Sequence, residues 1–293
     1  MSKNTAIKQL INSYLIAAVD AYMTREQSAY IINGKMPLYQ GRDIKRVLYI
    51  SGVALQLAKS HNSVAGEIAN AIASQIFNTS GGTLLTQIVT PGWIHIEITH
   101  PLLASWLQSI AFGVSKSSAN FVGLKSPIHN NWASVKTDES SRLFAVQYAH
   151  ARCCSLIFLA QREGLIAWKQ TLPKSDDIWH LGGLVATGTL SWLNSDRKLH
   201  LHHPAETYLI VELVKAVDEL ECADEPSKVK WEKIAWDVSQ AFVSFWSQCR
   251  IWGEVKTKSP ELMQARLGLV MATQCVLRFL LIAKLGIAGP IEL

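Results

Sequence analysis

Charge is scarce in this 293-residue chain. Lys, Arg, Asp and Glu together make up 17% of it, below the roughly 25% usual for soluble domains. The net charge of +5 is mildly basic and is no polybasic signature; it permits nucleic-acid binding without arguing for it. Cysteine is sparse as well: five residues, an odd number, with no Cys-x-x-Cys pair. Cys153 and Cys154 are adjacent in an apolar segment. That pattern excludes a disulfide framework and a zinc ribbon, and it implies buried thiols in a reducing compartment. There is no glycine-rich phosphate loop, no His-Glu-x-x-His and no nucleophile elbow, so neither a cofactor nor a metal is expected. The most apolar stretch, Leu267 to Leu285, is interrupted by Gln274, Arg278 and Lys284. It falls short of the ~18 uninterrupted apolar residues of a membrane span. "MSKNTAIKQL" lacks a signal-peptide pattern, and a cytoplasmic protein without membrane contact is the expectation.

Apolar residues make up 49% of the sequence and ten are tryptophan, enough for a large core and for some apolar surface that a partner covers. Trp106, Trp132, Trp168, Trp179 and Trp192 lie in segments of weak periodicity, where such a protein-partner surface would form. His200, His202 and His203 are read as loop histidines, since no further ligands stand near them. Asp176 and Asp177 are read as a helix N-terminus.

The pattern divides the chain into a small α+β domain over 1–110, a linker over 111–138 and a helical domain over 139–293, so the fold class is mainly α. Helices are expected over 5–22, 45–60 and 63–77. Strands are expected from Leu84 to Val89 and from Trp93 to Thr99, around a Pro91-Gly92 turn, with Ile94, Ile96 and Ile98 facing one way and His95 and Glu97 the other. Further on, helices are expected over 139–163 ending at Gly164, over 204–221 and over 228–249. The last begins with Ser259 as N-cap and Pro260 at N1 and stops before Gly286. The helical domain reads as a bundle.

The expected helix over 139–163 carries an unusual cluster. Val146, Ala149, Cys153 and Ile157 form an apolar stripe, leaving Gln147, His150 and Arg152 near its rim. "FAVQYAHARCCSLI" resembles the entry helix of the DALR anticodon-binding domain of arginyl-tRNA synthetases. The similarity continues through "LHHPAETYLIVELVKAVDEL", "VSQAFVSFWSQCRIWGE" and "ELMQARLGLVMATQCVLRFLLIAKLGIAGPIEL". "GRDIKRVLYISGVALQLAKSHNSVAGEIANAIASQI" and "IVTPGWIHIEI" resemble the N-terminal additional domain of the same enzymes, which holds the D-loop corner of tRNA. The family places its class I catalytic domain between these two regions, with His-Ile-Gly-His and Lys-Met-Ser-Lys motifs. Neither motif occurs in this chain.

The resemblance implies a non-catalytic tRNA-binding protein, not an enzyme, whose partner is arginine tRNA and whose role is that of an adaptor or regulator. It also implies the binding residues. Tyr148 stacks on an anticodon base, Gln147 and His150 read base edges, and Arg152 holds phosphate. Arg266 lies in the family's Ala-Arg-Leu run, and Trp93 with His95 contacts the D-loop region. The family commonly ends on a methionine near the anticodon pocket, whereas this chain ends Ile291-Glu292-Leu293. The alternative is a protein-interaction module that kept the scaffold and lost the RNA.

Overall fold

The structure, a computed structural model, describes residues 6–25, 36–61, 63–112, 137–170, 184–187, 189–223 and 225–293. Residues 113–136 of the expected linker lie outside the described residues, as do Trp132, Trp179, Asp176 and Asp177. The chain divides into two compact units, Met1–Leu103 and Ala104–Leu293.

In the first unit, β1 (Leu38–Gln40), β2 (Leu48–Ser51), β3 (Leu84–Val89) and β4 (Trp93–Ile98) form one antiparallel sheet in the order β1-β2-β4-β3. α1 (Ile7–Arg25), α2 (Val53–His61) and α3 (Ala65–Thr79) supply the helical layer, with α2 packed on β4 and α3 on both β3 and β4. The expected alternation holds in β4: Ile94, Ile96 and Ile98 are buried while His95 and Glu97 are partly exposed. The helix expected over 45–60 is instead a strand followed by a shorter helix. Leu48, Tyr49 and Ile50 are large apolar or aromatic residues that suit a half-buried pleat, and β2 fills the place between β1 and β4. Gly52 separates the two elements, and the Ser51 hydroxyl accepts a 3.3 Å hydrogen bond from the Val53 N–H. Gly92, in the β3–β4 turn, packs against the start of α3. A Cβ there would stand 2.8 Å from that of Ala65.

α4 (His100–Ala111) runs across the boundary between the units. The second unit continues with α5 (Thr137–Arg162), α6 (Pro204–Cys222), α7 (Trp231–Gln248), α8 (Glu254–Lys258) and α9 (Pro260–Phe279). A π-helical turn over Leu280–Lys284 follows α9. α5, α6, α7 and α8 all pack against α9. β5 (Ala167–Gln170) and β6 (Leu184–Thr187) pair as antiparallel strands, which the reading of this region as a helical bundle did not include. α5 ends as anticipated at Gly164, whose φ of +68° suits a residue without a Cβ. Ser259 occupies the N-cap of α9 but its side chain makes no capping hydrogen bond. Two of the tryptophans expected at a partner surface are buried: Trp106 is 7% exposed and Trp192 4%. The Trp192 indole donates a 2.6 Å hydrogen bond to the Gln108 side-chain carbonyl, so it serves the core.

α9 is the apolar centre. From Leu267 to Leu277 every residue of it is buried. By length and composition two segments could cross a bilayer, 141–162 and 260–284, but 78% of the latter's apolar window is covered by the rest of the fold. Gly268 lets α9 approach Trp192 and Leu190, since a Cβ there would overlap both side chains. Arg266, on the first turns of α9, is paired through Nε with the fully buried Glu206 at 2.6 Å, and its Nη1 donates to the Arg250 carbonyl. Glu206 also accepts from the His203 N–H at 2.8 Å, and the His203 ring accepts from the Ala205 N–H. This reciprocal cap starts α6 at Pro204.

Two substitutions test this centre. Arg266→Leu strands the Glu206 carboxylate and is expected to cost about 3–5 kcal/mol of unfolding free energy. Gly268→Val overpacks the α9–Trp192 contact and is expected to cost about 1–3 kcal/mol. Urea denaturation followed by circular dichroism measures both, and wild-type midpoints would refute the assignment.

Candidate nucleic-acid interface

α5 presents two opposed faces. Val146, Ala149, Cys153 and Ile157 are buried, whereas Phe144 and Tyr148 are 58% and 51% exposed. One helical turn separates these two aromatics, so they share an open stripe that continues to Arg152. The Arg152 guanidinium lies 4.8 Å from the Trp246 ring of α7, an arrangement favoured by the quadrupole of the indole. Its Nε is buried without a hydrogen-bond partner. The surface thus offers two exposed aromatic rings and a guanidinium held over a third.

Gln147 and His150 face the other way. Gln147 donates from Nε2 to the Ala288 carbonyl at 2.9 Å. The His150 ring is fully buried; its Nδ1 lies 2.8 Å from the Pro290 carbonyl and its Nε2 3.1 Å from the Gln274 amide nitrogen. A carbonyl only accepts, so Nδ1 carries the proton and Nε2 accepts from Gln274. Desolvation pulls the imidazole pKa down to about 4, despite the raising effect of the Pro290 hydrogen bond. Cys154 lies 3.8 Å from the ring, and burial pushes its thiol pKa up to about 12. Both edge-reading candidates are therefore engaged in tying the C-terminal tail to α5. Gly289 packs against the same ring. The tail ends with Ile291 and Leu293 exposed.

The remaining candidates separate in the same manner. Arg266 is enclosed and committed to Glu206. In the first unit Trp93 is 37% exposed and lies on Gly52, where a Cβ would stand 2.8 Å from the indole. The ladder aligns Tyr39, Ile50, His95 and Gln87 across the open face of the sheet. Tyr39 is 63% exposed. This face offers two aromatic side chains beside two hydrogen-bonding ones, and Arg46 bridges Asp43 and Glu97 at its margin. Tyr39, Gln87, Phe144 and Trp246 escaped the sequence reading. Period-two alternation from His95 would have pointed to the first two once the strand pairing was known.

Residues 146–290 match the family model of the DALR anticodon binding domain. The chain is 33% identical over 159 residues to an arginine–tRNA ligase of Ruminiclostridium cellulolyticum, covering 53% of this chain and 23% of the ligase. It is 30% identical over 192 residues to the arginine–tRNA ligase of Moorella thermoacetica, covering 63% of this chain and 29% of that protein. The alignment with the Synechococcus sp. arginine–tRNA ligase, 30% identical, covers 53% and 23%. The chain thus spans less than a third of the length of these curated relatives. No solved structure matches it.

The buried imidazole sets a pH dependence. The folded state keeps His150 neutral down to about pH 4, whereas an unfolded chain takes up the proton near 6.5. The unfolded state thus binds more protons between these values. Stability is complete above about pH 6.5 and falls by roughly 3 kcal/mol as the pH drops to about 4. Urea titrations of wild type and His150→Gln across this range measure it; equal slopes for the two proteins would remove His150 as the cause.

Proposed function

We propose that this chain, whose residues 146–290 form a DALR anticodon binding domain, binds tRNA without activating an amino acid, with arginine tRNA preferred. The observation that carries the reading is the open stripe of α5, where Phe144, Tyr148 and Arg152 stand beside Trp246. Unstacked bases need planar partners, and each base–aromatic stack contributes about 1–3 kcal/mol. Tyr148 and Phe144 supply the rings, and Arg152 supplies a guanidinium for phosphate or a further stack. Gln147 and His150 act as positioning residues that tie the C-terminal tail to the face of α5 away from this stripe. Arg266 serves the fold.

The second contact would lie on the open sheet face of the first unit, with Tyr39 and Trp93 as stacking groups and His95 and Gln87 as hydrogen-bonding groups. Two separate RNA-holding surfaces in one chain suit an adaptor or regulator that retains a tRNA. The absence of His-Ile-Gly-His and Lys-Met-Ser-Lys sequences supports a non-catalytic role, and the matching relatives contribute about a quarter of their length. A second reading, a protein-docking module, draws on the exposed Leu85 and Val89 of edge strand β3.

Titration of arginine tRNA and a non-cognate tRNA at two salt concentrations separates the readings. The expected result is preferential, salt-sensitive binding of arginine tRNA, weakened by about 1–3 kcal/mol in Tyr148→Ala. Unchanged affinity in a folded Tyr148→Ala variant would remove this residue from the site. No binding of either tRNA at low salt would leave the protein-docking reading.

A further inference from the structure

A cleft of about 660 Å³ opens between the N-terminal ends of α5 and α7, lined by Arg142 and Leu285 and by the run from Lys230 through Trp231 and Glu232 to Lys233, with Trp236 and Asp237. None of these residues belongs to the stripe already described. Trp231 and Trp236 are both half-buried, so their indoles are anchored in the fold and still face the cleft. Lys284 stands 4.8 Å from the Trp231 ring and fixes that indole further.

The charge of the lining is uneven. Asp237 is matched by Lys233 at 2.6 Å and Lys215 at 3.8 Å, which leaves Glu232 as the remaining carboxylate. Among the described residues Lys230 makes no ion pair, and it lies exposed at the N-cap of the 18-residue α7 without a side-chain capping bond. The unmatched first-turn N–H groups of a helix add partial positive charge at that point. Arg142 brings a guanidinium from the opposite wall. The cleft therefore pairs flat apolar surfaces with local positive charge, in a chain whose net charge is small.

Its position extends the α5–α7 surface. Arg142 and Trp236 line the cleft together, and Arg152 touches Trp246. Each pair is ten residues further along on both helices, so α5 and α7 run side by side in the same direction for about 15 Å. Phe144 and Tyr148 lie on α5 between these two points, and the 42%-exposed Val243 lies on α7 between them.

We propose that this cleft binds a nucleotide of single-stranded RNA, with its base against the Trp236 and Trp231 indoles and its phosphate on Arg142 and Lys230. The inference rests on the reading that the chain binds RNA, and it extends the RNA path from Tyr148 towards the N-terminal end of α7. A phosphate contributes the negative charge that the rim accepts, and a base contributes the planar face that two indoles match. An acidic peptide would satisfy the rim and leave the indoles unused.

The test titrates the full chain with a fluorescein-labelled single-stranded heptaribonucleotide and with arginine tRNA, by polarisation, for wild type, Lys230→Glu, Trp236→Ala and Tyr148→Ala. Expected are an affinity for the oligonucleotide about fivefold or more weaker in Trp236→Ala, and a salt slope reduced by about 0.7 in Lys230→Glu. Lys230 is exposed, so that variant decides the matter alone should Trp236→Ala fail to fold. Wild-type behaviour of both cleft variants would overturn the proposal. So would a hexaglutamate peptide that displaces the oligonucleotide as effectively as unlabelled RNA. tRNA binding weakened only by Tyr148→Ala would overturn the cleft and leave the proposed function standing. Absence of binding to both RNAs by the wild type would remove both.

Discussion

A helix buried along most of its length can carry polar side chains only where each finds a partner inside the protein. α9 carries several such side chains, and three of them show how the second unit is organised. Arg266 meets Glu206 and the Arg250 carbonyl. Thr273 returns its hydroxyl proton to the Leu269 carbonyl, and Gln274 meets the ring of His150. Each of the two long-range partnerships fixes a neighbouring helix. Glu206 sits in the first turn of α6 and completes the cap with His203, so the pair that neutralises Arg266 also sets where α6 starts. His150 sits midway along α5, so the bond to Gln274 sets the rotation of α5 about its own axis. Once that rotation is set, Tyr148 and Phe144 face solvent.

This division of labour changes how the polar cluster of α5 works. Gln147 and His150 have the hydrogen-bonding capacity to read base edges, but their donors and acceptors are used on the C-terminal tail and α9. The pieces left outside are flat: two aromatic rings and a guanidinium stacked on an indole. In the proposed function such a surface would hold splayed bases by their faces, and faces differ little between bases. Discrimination among bases would then have to come from groups outside the stripe, and the C-terminal tail is held by Gln147 and His150 on the other face of α5. Its main chain beyond Pro290 ends in two exposed apolar side chains around Glu292.

Patterns that depend on nearest neighbours were legible in the sequence. The alternation of β4, the helix that became α7, the glycine end of α5 and the proline start of α9 all stand within a few residues of where the sequence places them. The strand β2 was missed because a continuous apolar run such as Val47 to Ile50 suits helix and strand equally, and only pairing with β1 and β4 decides. The inward direction of His150 was illegible for a related reason. Its two hydrogen-bond partners lie 124 and 140 positions away, and no local spacing encodes them. Trp106 and Trp192 misled because weak periodicity around a large aromatic says little about burial when the covering residue, here Gln108 for Trp192, comes from another element.

The small net charge bears on how RNA would be held. Non-specific affinity for nucleic acid comes mostly from counterion release, and it grows with the number of phosphates neutralised. Several of this chain's cations are already paired: Arg46 with Asp43 and Glu97, Lys256 with Glu163, Lys233 with Asp237, and Arg266 with Glu206. Arg152 and Arg142 of α5 and Lys230 at the start of α7 are further cations of the second unit. With a net charge of only +5, RNA binding by the proposed surface would depend more on stacking than on charge. It would therefore favour RNA whose bases are already unstacked, as in loops, over duplex regions that offer only a phosphate lattice. A loop-selective surface would need no large basic patch, so a lightly charged chain is compatible with a region that matches an anticodon binding domain.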